Sequence, residues 1–229
     1  MSCTVCGGDR HIETKIISGK LANEWGLNSD EVVYLDRQQG TYCARCGANL
    51  RTQALALAIC RWKVFDRTFD DLSKVYSPRT LEVNEIRSLG QFLDRWERRK
   101  HIEWPEYDLQ NLHQIEARSF DLVIHSDTLE HVPCPIAALQ ECRRVLHPEG
   151  ACIFTVPIVV GRRNKSRSGM PPSYHGDPEM PPEEAERLGL RVYTEFGADA
   201  WSWPILAGFE SVEIVSLEWP AALALICRG

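Results

Sequence analysis

The sequence predicts an α/β protein built on a doubly wound sheet, with a small zinc-binding module at its N-terminus. Two observations carry that reading. Residues 120–157 read as strand, crossover helix and strand, and two copies of Cys-x-x-Cys-Gly frame the chain before residue 50. Composition agrees. The chain has 229 residues, 44% hydrophobic and 25% charged, which suits a soluble globular protein of one ordinary domain plus a small module.

The strand–helix–strand unit is the organising stretch. Leu122-Val123-Ile124 is a short apolar run entered from Asp121, as expected of a strand buried on both faces of a parallel sheet. His125, Ser126 and Asp127 follow at once. Ile136, Leu139, Cys142, Val145 and Leu146 then mark one apolar face at helical spacing, with Pro135 in the first turn. His147-Pro148-Glu149-Gly150 predicts the stop of that helix, and 151–156 is a second apolar strand. Such a unit crosses over with a nearly fixed hand.

At the N-terminus, Cys3-Thr4-Val5-Cys6-Gly7 and Cys43-Ala44-Arg45-Cys46-Gly47 each allow two sulfurs to face one metal, with glycine permitting the tight turn. Together they predict one structural zinc on Cys3, Cys6, Cys43 and Cys46, with an excursion of strands or a short helix between the pairs. Free or redox-active thiols are the alternative, and the second copy weighs for zinc. Nine cysteines, an odd number, and no signal-peptide pattern predict a reducing cytoplasm and five further free thiols. A net charge of −6 argues against broad binding to nucleic acid or an anionic membrane, and no apolar run is long enough to cross a bilayer.

Residues 49–63 carry Leu50, Ala54, Leu57, Ala58 and Trp62 near one face and predict a connecting helix. Residues 66–78 read as a linker or short helix. The expected division is 1–65 for the zinc module and connecting helix, and 66–229 for the larger domain.

Several runs of the larger domain carry a resemblance. Phe120-Asp121-Leu122-Val123, Leu129-Glu130-His131-Val132-Pro133, Arg144-Val145-Leu146, Pro148-Glu149-Gly150 and Phe154-Thr155-Val156-Pro157 resemble strands four and five of class I S-adenosylmethionine-dependent methyltransferases. The resemblance implies a Rossmann-like, mostly parallel sheet whose last strand is antiparallel. Thr80-Leu81-Glu82-Val83-Asn84 then falls at the first strand, with Glu82 as the acidic residue at its end. The family's glycine-rich turn is reduced here to residues 84–90, where only Gly90 is glycine. Residues 88–98 resemble the following helix. Residues 101–104 resemble the second strand, with Glu103 placed for ribose hydroxyls. Asp108 takes the place of the aspartate that meets the adenine amino group. The short span from Glu103 to Phe120 implies that the third strand is abbreviated or missing. Asp127 would lie near the methionine end. The implied cofactor set is thus Glu82, Asn84, Gly90, Glu103, Asp108 and Asp127. Solvated surface carboxylates are the alternative for Glu82, Glu103 and Asp108.

Residues 161–182 form a long polar loop after strand five, carrying Arg162, Arg163, Lys165, Arg167 and Tyr174-His175-Gly176-Asp177-Pro178. Loops at this place bind ligands in α/β enzymes. His175 is a candidate general base with Asp177 as its partner; a turn that closes the loop is the alternative. Residues 183–188 predict a helix. Residues 196–209 resemble the last helix of the family, and 211–217 and 221–227 the last two strands, the final one antiparallel at the sheet edge.

The expected activity is methyl transfer from S-adenosylmethionine to a small-molecule acceptor, with zinc in a structural role. Two alternatives stand beside it: a non-catalytic binding or scaffold protein on a degenerate fold, and a nucleic-acid methyltransferase that reads through its zinc module. The acidic balance opposes the second. Acceptor identity and oligomeric state are left open.

Overall fold

A computed structural model describes residues 1–176 and 179–229, with Arg87 described in its backbone only. The chain begins with a two-stranded antiparallel pair, β1 (His11–Glu13) and β2 (Thr41–Cys43), with helices α1 (Gly19–Glu24) and α2 (Ser29–Gly40) held between them. A reciprocal cap starts α2: the Glu31 N–H donates to the Asn28 side chain, and the Asn28 N–H donates to the Glu31 carboxylate. Helix α3 (Leu50–Trp62) follows, started by Asn49, whose side chain accepts from the Thr52 N–H at 2.9 Å. The segment read as linker or short helix forms α4 (Phe69–Val75), capped by Thr68.

The main sheet is built from β3 (Thr80–Val83), β4 (Arg99–Ile102), β5 (Phe120–Ser126), β6 (Leu146–Thr155), β10 (Ser211–Leu217) and β11 (Ala222–Arg228). Its order is β10-β11-β6-β5-β3-β4. The contacts β4/β3, β3/β5 and β5/β6 are parallel, while β11 runs antiparallel to both β6 and β10. This is a Rossmann-like, mostly parallel sheet with an antiparallel last strand. That strand lies one place in from the edge, which β10 forms instead. Helix α5 (Arg87–Leu93) links β3 to β4, and α6 (Pro135–Val145) links β5 to β6 after a 3-10 turn at Leu129–His131. No named helix or strand lies between β4 and β5 among the described residues, so the third strand is absent there.

The central strands β3, β5, β6 and β11 are buried on both faces, which explains their apolar runs. Leu122, Ile124, Ala151, Ile153 and Ile226 face one core together with α3, α4 and α5. Val123, Cys152, Phe154, Leu223 and Leu225 face the other, together with α6. The first core continues into Cys3, Val5 and Cys43, so the cysteine-bearing segment and the sheet share one apolar interior. Asp121 anchors the entry to β5 through a two-point ion pair with Arg79, 2.6 and 3.1 Å.

Three expectations change. The helix read at 88–98 ends at Leu93. The His147-Pro148-Glu149-Gly150 stop is part of an irregular start to β6: Leu146 pairs with Phe120 and Ala151 with Leu122, so the intervening residues bulge out of the ladder. The helix read at 196–209 is shorter, α8 (Ser202–Leu206). Its expected start lies in β9 (Thr194–Gly197), which sits between β7 (Ile158–Val159) and β8 (Lys165–Ser166). The β-branched Thr194 and aromatic Phe196 favour a strand. A Cβ at Gly197 would fall 2.3 Å from the Arg162 carbonyl oxygen, so only glycine permits this approach. Helix α7 (Pro182–Arg187) lies where 183–188 predict one.

Candidate functional site

The two cysteine turns are near-copies in space. In each, the first cysteine accepts from the glycine four residues on, Gly7 N to Cys3 O at 2.8 Å and Gly47 N to Cys43 O at 2.9 Å, and both glycines have positive φ, 76° and 75°. The Cys3 and Cys46 sulfurs lie 3.7 Å apart and those of Cys6 and Cys43 3.6 Å, all four within 4.8 Å. A zinc tetrahedron with bonds of about 2.3 Å has sulfur–sulfur edges of about 3.8 Å. The donor set therefore fits zinc. Without a cation the cluster is unfavourable as thiolates: burial pushes the Cys6 thiol up to about 11, and the Cys3 contact raises Cys46.

A cavity of about 660 Å³ opens at the carboxyl ends of β3, β4 and β5. This is the switch point of the sheet, because the chain steps from β3 to β4 on one side and returns to β5 on the other. Val83 and Asn84 reach it from β3, Glu103 and Trp104 from β4, and Asp127 and Thr128 from β5. Asp108 and Gln110 enter from the segment after β4, and Arg191 and Tyr193 from the segment after α7. Its size suits one small organic ligand.

Of the six residues expected to meet a cofactor, Asn84, Glu103, Asp108 and Asp127 line this cavity. Glu82 and Gly90 line a separate cleft of about 290 Å³ that Glu103 also borders. Glu82 is fully buried; it accepts from the Ile86 N–H at 3.0 Å and pairs with Arg99 at 2.7 Å, so it shapes the turn after β3 rather than the cavity wall. Gly90 lies inside α5 with open space where a Cβ would stand, so no close backbone approach requires it. The bend that glycine usually makes is made by Asn84, with φ 59°. Asparagine tolerates that conformation better than most residues. Its side chain donates to the Thr128 hydroxyl at 3.3 Å and ties β3 to β5. Asp108 closes a local turn by accepting from the Gln110 N–H at 2.9 Å.

Asp127 sits just past β5 with φ 46°. Its Oδ2 is held by the Arg51 guanidinium and by Gln39 Nε2 at 3.1 Å, and Arg51 Nε reaches Ser126 Oγ at 3.2 Å. Helices α2 and α3 thus brace the cavity from the cysteine-bearing end of the chain. Sequence reasoning missed Arg51 and Gln39, because no local pattern announces partners 76 and 88 residues away.

His131 lines the cavity wall. Its Nδ1 lies 2.9 Å from the Arg191 carbonyl oxygen and its Nε2 lies 3.2 Å from His175 Nδ1. The carbonyl contact commits Nδ1 as the donor, so Nε2 faces His175 with its lone pair. His175 stands behind His131, against Trp25 at 5.3 Å between ring centroids, and does not line the cavity. Burial, with His131 beside it, pushes the His175 imidazole down to about 3. A nitrogen so weakly basic takes up protons poorly at neutral pH, which speaks against the expected general-base role. Asp177, its expected partner, lies outside the described residues. Glu130, whose signal was its place next to His131 after a strand end, is also buried beside this pair.

The basic loop is also structural in part. Arg162 pairs with Glu31 at 2.6 and 3.0 Å and donates to the Trp25 and Gly26 carbonyls. Arg167 is buried against Glu195. These two cations hold the loop to α2 and β9 and are not free for an anionic substrate.

Residues 76–154 match the family model described as "Methyltransferase domain". That stretch runs from before β3 to the end of β6. Curated relatives include a "Ubiquinone biosynthesis O-methyltransferase" of Actinobacillus pleuropneumoniae serotype 5b (strain L20), 36% identical over 47 residues, 20% of this chain and 20% of the relative. A protein of the same name from Nitrosococcus oceani is 28% identical over 75 residues, 33% of this chain and 29% of the relative. The matches therefore span a third or less of these relatives' length. Among solved structures, a Burkholderia thailandensis 1,6-didemethyltoxoflavin-N1-methyltransferase is 14% identical with a TM-score of 0.41, covering 76% of each chain.

Proposed function

We propose that this protein transfers a methyl group from S-adenosylmethionine to a small-molecule acceptor, and that its four N-terminal cysteines hold a structural zinc. One observation carries the reading: the segment that matches the methyltransferase domain, 76–154, supplies the strand ends that border the cavity at the switch point. The relatives' names and the cavity's size support a small acceptor.

Bound S-adenosylmethionine would supply an electrophilic methyl on a sulfonium. Glu103 takes the ribose hydroxyls as a hydrogen-bond acceptor. Asn84 and Thr128, tied to one another, set the floor of the cavity. Asp127, braced by Arg51 and Gln39, stands at the cavity wall toward the methionine end. Four carboxylates, Glu103, Asp108, Asp127 and Glu186, line the cavity with Arg191; since Arg51 pairs with Asp127 and Arg191 with Glu186, Glu103 and Asp108 are left to favour a cationic ligand. Trp104, Tyr107 and Leu109 provide apolar wall. The chemistry rests on alignment of the acceptor with the methyl, which is physically sufficient for many acceptors.

The test is a titration of the zinc-loaded protein with S-adenosylmethionine, followed by detection of S-adenosylhomocysteine during incubation with candidate phenols and amines. Saturable binding with turnover supports the reading. A second reading, a ligand-binding protein without turnover, is favoured by the loss of the glycine-rich turn. Saturable binding with no product across the acceptor panel would select it.

A further inference from the structure

We propose that Glu130, His131 and His175 form a second metal site, separate from the four cysteines, that takes one divalent first-row transition ion such as zinc. The inference stands on geometry and does not depend on methyl transfer.

One donor atom from each of the three residues falls within a 4.8 Å group. His131 Nε2 is 3.2 Å from His175 Nδ1 and 3.8 Å from Glu130 Oε1. A tetrahedral ion with metal–nitrogen bonds of about 2.0–2.1 Å sets its donors about 3.3 Å apart. The His131 tautomer is also set. A carbonyl oxygen only accepts, so Nδ1 carries the proton it donates to Arg191 O at 2.9 Å, and Nε2 keeps its lone pair. An outer hydrogen bond of this kind orients metal-binding histidines.

Glu130 supplies the decisive observation. It is 1% exposed, and neither carboxylate oxygen has a hydrogen-bond partner among the described residues; the charged groups near it are Asp127 and Arg51. Ionised, it is a buried anion without a counter-charge. Protonated, it is a buried O–H without an acceptor. Both states are costly. The nearby Arg51 does not relieve it, because that guanidinium is paired with Asp127. A divalent ion satisfies the carboxylate, the free Nε2 of His131 and Nδ1 of His175 at once. Two imidazoles and one carboxylate leave a fourth position open, the pattern of sites that also bind a small ligand. His131 borders the cavity, so the ion would stand at its margin.

The test uses the full chain, saturated with zinc, desalted and assayed by elemental analysis. Two zinc ions per chain are expected for the unaltered protein, and one for Glu130→Gln and for His175→Ala. Glu130→Gln is nearly isosteric, so it decides if His175→Ala fails to fold. Cobalt(II) offered to protein that carries one zinc should give ligand-field absorption without sulfur charge transfer. One zinc in the unaltered protein, two retained in both variants, or sulfur charge transfer from the added cobalt would each overturn the proposal.

Discussion

The four-cysteine cluster and the cavity at the sheet's switch point are assembled in opposite ways. Each half of the cluster is local: two sulfurs and a glycine within five residues, repeated once. The cavity is non-local. Its walls come from β3, β4, β5 and the segment after α7, and its brace, Arg51 and Gln39, from helices that precede the sheet. A local motif can be read residue by residue. A tertiary site shows in sequence only where each contributing piece falls at a recognisable strand end.

The largest expected effect lies in the local site. Cys43→Ser should release zinc and destabilise the whole chain, because the cysteines share an apolar core with the sheet. Structural zinc supplies on the order of 10 kcal/mol of folding free energy in small modules. Elemental analysis and thermal melting check it; an unchanged melt with zinc lost would show the two regions to be independent.

The next effect tests the link between the regions. Arg51 and Asp127 are both largely buried, 15% and 16% exposed in their side chains. Removing one partner leaves the other charge unpaired, and Asp127→Ala should cost about 3 kcal/mol. A double-mutant cycle of Arg51→Met with Asp127→Asn should give a coupling of about 1–3 kcal/mol by denaturant unfolding. Additive effects would mean that the module does not brace the cavity.

A smaller effect is confined to the cavity. Glu103→Ala should weaken S-adenosylmethionine binding about tenfold, the loss of a charge-assisted hydrogen bond, with the melting temperature unchanged. Unaltered affinity would remove Glu103 from the ribose position.

The smallest effect is on pH. The hydrogen-bonded Arg162 guanidinium holds the Glu31 carboxyl below its usual 4.5. A folded-state pKa below the unfolded one stabilises the protein above the unfolded value, and that contribution is lost as pH falls below about 4.5 and through the folded value. Glu31→Gln should cost about 1 kcal/mol at neutral pH and nothing at strongly acidic pH. An equal cost at both would assign it to packing.

The same contrast explains what was legible. The apolar runs of β5 and β6, the Pro135 start of α6 and the Asn49 cap of α3 follow local rules, and the helices and strands lie close to where those rules put them. The strand ends also placed Asn84, Glu103, Asp108 and Asp127 around one cavity. Gly90 misled because a glycine's presence does not show whether its freedom is used; Asn84 makes the bend instead. His175 stands behind His131 rather than at the cavity wall, a placement that no local pattern encodes. The pairing of Arg162 and Arg167 was not legible because their partners, Glu31 and Glu195, are distant in sequence.

The central claim is that the cavity bordered by the matched segment holds S-adenosylmethionine. Calorimetric titration of the zinc-loaded protein tests it most directly. The expected result is one saturable site, displaced by S-adenosylhomocysteine and weakened about tenfold by Glu103→Ala. Absence of binding heat together with no shift in melting temperature at millimolar cofactor would contradict it.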